Sequence, residues 1–163
     1  MTIPTNREYL DDGSADGCRV RGMAQQVINP AGTTRNLLVG ESGSTCIFGN
    51  AAGQIYNLPV IGANDVGIWF DFSVTVTASS NSYTINTGSA ANFIGGGLVA
   101  TSTTAGDADA FAADVDATVA ITLDAAEDGW LAGGYFTLTA ISTTQWTVGG
   151  NTQGVPTVLT PFS

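Results

Sequence analysis

Alternation of apolar and polar side chains is clearest between residues 69 and 87. Four apolar residues share one parity: Phe70, Phe72, Val74 and Val76. Trp69 falls on the opposite parity, so it is predicted to face away from the main core. Small and turn-forming residues at 78–82 precede a second alternation at Tyr83 and Ile85. The pattern predicts two strands joined by a loop of about five residues, as in a β-hairpin.

Short strand signals separated by Gly, Asn and Asp recur from residue 33 onward. Strands are predicted at 33–39, 45–48, 54–58, 66–77, 82–87, 93–100, 117–123, 135–141, 145–148 and 155–159. This spacing predicts an all-β fold, a β-sandwich or a barrel of the jelly-roll kind. The Ala-rich segment 107–115 is the one helix candidate, with a surface loop as the alternative. No internal repeat is evident, which disfavours a solenoid.

Residues 1–32 differ from the rest of the chain. They mix both charge signs, contain Pro4 and Pro30, and keep neither the helical nor the strand period for more than a few residues. The segment is therefore predicted to be an extended N-terminal arm, with a short strand at 18–20 or around 24–28. Residues 33–163 are predicted to form the β-domain.

The charge distribution narrows the possible partners. The net charge is −10, and the chain has no Lys and no His. Its positive side chains all lie in the first 35 residues: Arg7, Arg19, Arg21 and Arg35. Nucleic acid and anionic membranes are recognised through basic surfaces, so neither is an expected partner. No apolar run approaches the ~20 residues of a membrane helix, and the N-terminus lacks the features of a signal peptide, so secretion by its own signal is not expected.

The sequence contains few of the residue types that enzymes use for catalysis. A Ser or Cys nucleophile would lack the usual imidazole or amine base. Two carboxylates could serve a glycosidase, but nothing in the sequence places two acids across a cleft. We therefore predict no catalytic residues, no cofactor and no enzymatic activity. The Gly95-Gly96-Gly97 run lacks the Lys-Ser/Thr of a phosphate loop and is predicted to be a bulge or closely packed backbone.

The densest acidic cluster has the oxygen ligands that Ca²⁺ prefers. It consists of Asp107, Asp109, Asp114 and Asp116. Counted from Asp107, the sixth residue is Ala112 and the twelfth is Thr118, so the spacing is not that of an EF-hand loop. We predict a solvated loop and no metal site, and leave open whether the four aspartates bind a cation.

The two cysteines, Cys18 and Cys46, do not form a disulfide framework. Cys18 lies in the polar N-terminal segment, and Cys46 lies within a predicted strand. We predict two free thiols, with Cys46 partly buried.

The three tryptophans invite a carbohydrate-binding interpretation, because aromatic faces stack on sugar rings. Trp146 shares parity with Val148 and is predicted to be core. Trp69 is predicted to make a subunit contact or to belong to a second small core. Trp69 and Trp130 are the candidates for contact with a glycan.

The order of several segments resembles that of a group of tailed-bacteriophage virion proteins. The segments are Leu37-Leu38-Val39, 40–48, Ile55-Tyr56-Asn57-Leu58-Pro59, the aromatic strand from Trp69, Ser80-Asn81-Ser82-Tyr83-Thr84-Ile85, and the later Asp128-Gly129-Trp130. The resemblance covers roughly residues 33–148. The insertion at 107–116 and the lack of Lys depart from the family pattern.

The resemblance implies a capsid decoration (cement) protein, located on the virion surface. Its expected partners are the major capsid protein and further copies of itself, with a homotrimer favoured. Arg7, Arg19 and Arg21 are expected to meet carboxylates on the capsid or on a neighbouring subunit, and Trp69 to lie in a contact. The alternatives are a fibre or spike module that recognises host glycans and, less favoured, a secreted carbohydrate-binding module.

Overall fold

The computed structural model describes residues 25–103, 107–124, 130–155 and 158–163, and its strands form two facing sheets. The strands are β1 Val27–Ile28, β2 Thr34–Asn36, β3 Thr45–Phe48, β4 Gln54–Asn57, β5 Trp69–Val74, β6 Tyr83–Asn86, β7 Phe93–Ser102, β8 Ala108–Ala112, β9 Ala120–Leu123, β10 Trp130–Ala140 and β11 Gln145–Gly154. Within the described ranges, the single 3-10 turn Val39–Glu41 is the only helical element. The predicted all-β fold is confirmed.

Seven strands form one sheet and four form the other. The larger sheet has the order β1-β3-β5-β10-β11-β7-β8, and the smaller has the order β2-β4-β6-β9. Each sheet has two edge strands, β1 and β8 in the larger and β2 and β9 in the smaller, so neither sheet closes into a barrel. Of the two predicted architectures, the sandwich is the one observed.

The first six strands alternate between the two sheets. β1, β3 and β5 are parallel neighbours in the larger sheet, and β2, β4 and β6 are parallel neighbours in the smaller. The chain therefore coils through three stacked turns, each with one strand in either sheet, as in a short β-solenoid. The expectation against a solenoid is wrong for this part. The equivalent residues Val27, Thr45 and Asp71 are unevenly spaced, so the sequence shows no fixed period.

A ladder of asparagines marks the register of the smaller sheet. Asn36, Asn57 and Asn86 occupy equivalent positions on β2, β4 and β6. The Nδ2 of Asn86 donates to the Oδ1 of Asn57 (3.0 Å), and the Nδ2 of Asn57 donates to the Oδ1 of Asn36 (2.7 Å). Stacked amides of this kind satisfy one another along parallel strands. We call these three residues the asparagine ladder.

The predicted hairpin at 69–87 is wrong, although both of its strands exist. β5 pairs with β3 and β10, whereas β6 pairs with β4 and β9. The intervening residues cross between the sheets, so the apolar faces of β5 and β6 oppose each other instead of lying side by side. β5 ends at Val74, and Val76 is 37% exposed instead of continuing the core face.

The core between the sheets is aromatic. Phe72 stacks on Phe136 within the larger sheet, with ring centroids 5.6 Å apart. Phe48 of the larger sheet packs on Tyr56 and Tyr83 of the smaller, at 5.1 and 4.7 Å. The hydroxyl of Tyr56 donates to the carbonyl oxygens of Ile28 and Ile47, so its polar atom is satisfied inside the core.

Three predictions for the second half of the chain are wrong. The helix candidate 107–115 contains strand β8, antiparallel to β7. Residues 155, 158 and 159 carry no strand, so the predicted strand 155–159 is not observed in its described part. Strand β10 begins at Trp130, not at residue 135, and a register shift between Leu131 and Tyr135 interrupts its pairing with β11.

Strand β7 contains the triple-glycine run, where the predicted close packing is confirmed. Gly96 has a φ of +94°, and a β-carbon there would overlap the carbonyl oxygen of Val148. Only glycine fits so close to the neighbouring strand without strain.

The boundary between an arm at 1–32 and a domain at 33–163 stays a prediction, because residues 1–24 lie outside the described residues. Within 25–32, Val27 and Ile28 pair with β3 and thus belong to the larger sheet.

Candidate functional site

Four connections meet at one end of the sandwich, where β2, β4, β6 and β10 end and β3, β5, β7 and β11 begin. We call this surface, made by residues 37–44, 58–68, 87–92 and 141–144, the loop end. The connections are joined through their backbones: Gly43 N–H donates to Trp69 O (2.7 Å), and Gly67 N–H donates to Ala140 O (2.8 Å). These bonds tie the loops to the rigid sheets that carry them.

Four of the ten exposed large apolar side chains among the described residues belong to the loop end. Leu38 is 59% exposed, Val60 59%, Val66 48% and Ile141 50%. Val66 and Ile141 are adjacent in sequence to Gly67 and Ala140, whose backbones are hydrogen bonded, so they lie on neighbouring segments. Several exposed apolar groups on connected loops are characteristic of protein contact surfaces.

The acidic groups at the loop end are engaged within the fold. Glu41 forms an ion pair with Arg35 and also accepts a hydrogen bond from the Leu38 N–H (2.8 Å). The Oδ2 of Asp65 accepts the Gly62 N–H (2.8 Å). A partner that covers these loops would bury carboxylates that already accept intramolecular hydrogen bonds. Burying such carboxylates costs less free energy than burying carboxylates that have only water as a partner.

Trp69 begins β5 beside the loop end. It is partly exposed, and its backbone N–H donates to the Oγ of Ser42 (3.1 Å), while Phe70 on the opposite face is fully buried. The prediction of a contact role for Trp69 is not tested by these observations. Asp71 shares the outward face, yet it is 1% exposed and accepts a hydrogen bond from Thr137. The face of β5 opposite the core is therefore buried at Asp71.

The other two tryptophans belong to the interior. Trp146 is fully buried, which confirms its assignment to the core. Trp130 is 2% exposed and packs edge-on against Phe111, with centroids 5.8 Å apart. Its face is therefore unavailable to a sugar, and its candidacy for glycan contact is wrong. Its parity with Phe136 and Leu138 was the signal in the sequence that could have shown this.

The predicted basic contacts fall outside the described residues. Arg7, Arg19 and Arg21 all precede residue 25, and so does Cys18. In the part of the chain that the structure describes, Arg35 is the only basic side chain, and it is engaged with Glu41.

The acidic cluster is divided between a strand and a turn. Asp109 lies on β8, whereas the Oδ1 of Asp114 accepts the Asp116 N–H in the following turn (3.1 Å). Across the described ranges, no group of three or more acidic or cysteine side chains is arranged to hold a metal ion.

Cys46 is a free thiol in the interior. It is fully buried, more so than predicted, and it lies beside Phe72 in the register of the larger sheet. Burial, assisted by the negative charge of Glu41, raises the pKa of the thiol to about 12. Cys46 is therefore an uncharged core residue, poorly suited to act as a nucleophile.

Among the described residues, no helix is long and apolar enough to cross a membrane. Comparisons of this chain with protein-family models, with curated proteins and with solved structures find no match. The relation to phage virion proteins thus depends on the sequence segments quoted above.

Proposed function

We propose that this chain is a non-enzymatic structural protein of a tailed-bacteriophage virion, a decoration protein that binds the major capsid protein. The sequence resemblance at 37–58 and 69–85 supports this proposal. The structural observation that carries it is the loop end, where exposed apolar groups sit on loops fixed to rigid sheets.

The mechanism follows from mass action. A protein that binds the assembled shell and not the separated capsid subunits stabilises the shell by its binding free energy. A closed, symmetric oligomer presents several copies of the same surface, so it engages neighbouring capsid subunits together; we propose a trimer. The arginines of the N-terminal segment add charge-assisted hydrogen bonds to capsid carboxylates.

Co-sedimentation with undecorated capsids tests the contact surface. Val60→Asp places a charge in the loop end, so we expect it to weaken capsid binding at least tenfold. Val99→Asp is the matched control, because Val99 is 42% exposed on β7 of the larger sheet, away from the loops. Equal binding by both variants and the unmodified chain would remove the loop end from the proposal.

The oligomer and the arm need separate tests. Sedimentation should give more than one subunit per particle, and Trp69→Ala should weaken the association. Deletion of residues 2–24, which spares β1, should leave a folded domain that binds capsids less tightly. Electron microscopy of virions carrying a tagged copy distinguishes a decoration protein from the alternative fibre or spike module by the position of the tag.

A further inference from the structure

A cleft of mixed polar and apolar lining opens on the smaller sheet at the end opposite the loop end, where β2, β4 and β6 begin. Its volume is about 340 Å³, at the lower end of the range for ligand sites. Its lining includes Thr33, Gly53, Ile55, Asn81, Ser82 and Thr84, and all of its lining residues are uncharged.

The walls of the cleft are fixed by the fold. The Nδ2 of Asn81 donates to the Ala52 carbonyl oxygen (2.9 Å), and the Tyr83 hydroxyl donates to the Asn50 carbonyl oxygen (3.0 Å). Gly53 has a φ of +92°, and a β-carbon there would lie 2.7 Å from the Cβ of Asn81. This glycine lets the two segments approach closely, so the cleft is formed before any ligand arrives.

Three side-chain hydroxyl groups in the lining of the cleft are available to hydrogen bond with a ligand. No hydrogen bond among the described residues uses the side chains of Thr33, Ser82 or Thr84. Thr84 lies directly beside Ile55 in the parallel register of β6 and β4, about 4.8 Å away across the strands. The cleft therefore offers hydroxyl donors and acceptors next to the apolar side chain of Ile55.

We propose that this cleft binds a short segment of a neutral glycan. Sugar hydroxyls match the threonine and serine hydroxyls, and a C–H face of the ring matches Ile55. An anionic ligand would find no positive group in the lining and a chain of net charge −10 around it. This inference does not depend on the proposed capsid contact, because the cleft and the loop end lie at opposite ends of the strands.

The test is binding of the full chain to a panel of neutral oligosaccharides and their sialylated counterparts, measured on an array and then by ligand-observed NMR. We expect binding to neutral members of the panel. Thr84→Val and Ser82→Ala should each weaken it about 3- to 10-fold, the loss expected for one hydrogen bond. Thr139→Val, on the larger sheet, is the matched control and should bind as the unmodified chain does.

Three results would overturn the proposal: no binding to any neutral oligosaccharide at millimolar concentration, equal binding to sialylated members, or binding that both cleft variants retain in full. Circular dichroism of each variant checks that the fold is kept. Capsid co-sedimentation of the cleft variants should be unchanged, so failure of the glycan proposal and failure of the capsid proposal are separately visible.

Discussion

Asn57 is the middle member of the asparagine ladder, and its replacement by alanine tests the parallel stack directly. The side chain donates one hydrogen bond to Asn36 (2.7 Å) and accepts one from Asn86 (3.0 Å). Each such bond contributes about 0.5–1.5 kcal/mol. Asn36 is exposed and Asn86 is partly exposed, so water can replace part of the loss. We therefore expect Asn57→Ala to lower the free energy of unfolding by about 1–2 kcal/mol.

Urea unfolding followed by tryptophan fluorescence measures this change. With a typical slope of about 1–3 kcal/mol per molar urea, the midpoint should fall by roughly 0.3–2 M. Asn86→Ala removes only one of the two bonds and should cost about half as much. Asn151→Ala is the control, because Asn151 is exposed on the larger sheet and lies outside the ladder. A loss for Asn57→Ala no larger than that for Asn151→Ala would refute the stacked register.

Three further predictions concern the core, the glycine run and the acidic cluster. Burial raises the pKa of the Cys46 thiol in the folded protein to about 12, so the folded state holds this proton more tightly than the unfolded state does. The resulting contribution to stability is complete below the pKa of the unfolded thiol and is lost as the pH rises from there to about 12. Over that range the free energy of unfolding should fall by up to about 1.4 kcal/mol per pH unit, and less steeply in Cys46→Ala. Gly96→Ala should destabilise by about 1–3 kcal/mol or more, whereas Gly149→Ala, with open space at its β-carbon, should be nearly neutral in the same urea titration. A chelator should leave the melting temperature unchanged in calorimetry; a drop of many degrees would make Asp107 and its neighbouring aspartates the first candidate ligands.

The sequence predicted which side of each strand faces the core better than it predicted which strands are neighbours. Parity placed Phe70, Phe72 and Ile85 in the interior, as observed. Alternation says nothing about which sheet a strand joins, so adjacent strands on opposite sheets gave the same signal as a hairpin.

The errors in the second half have a different cause. The residues of β8 read Ala-Asp-Ala-Phe-Ala, and their alanines favour a helix locally. The strand forms because β7 offers a long edge for backbone pairing and because Phe111 packs against Trp130. Both partners are distant in sequence, so no local pattern contains them. The cleft was missed for the same reason, since residues 33, 53 and 82 meet only in the folded chain.

The uneven length of the connections in the three-turn stack has a consequence for how such a protein can diverge. Hydrogen bonds between strands and the asparagine ladder hold the register, while the connections differ in length, as 37–44 and 58–68 do, without disturbing it. Insertions or exchanges at these turns should therefore alter what the protein recognises and leave its thermal stability almost intact. The same architecture would suit a recognition scaffold whose binding loops can be grafted one at a time.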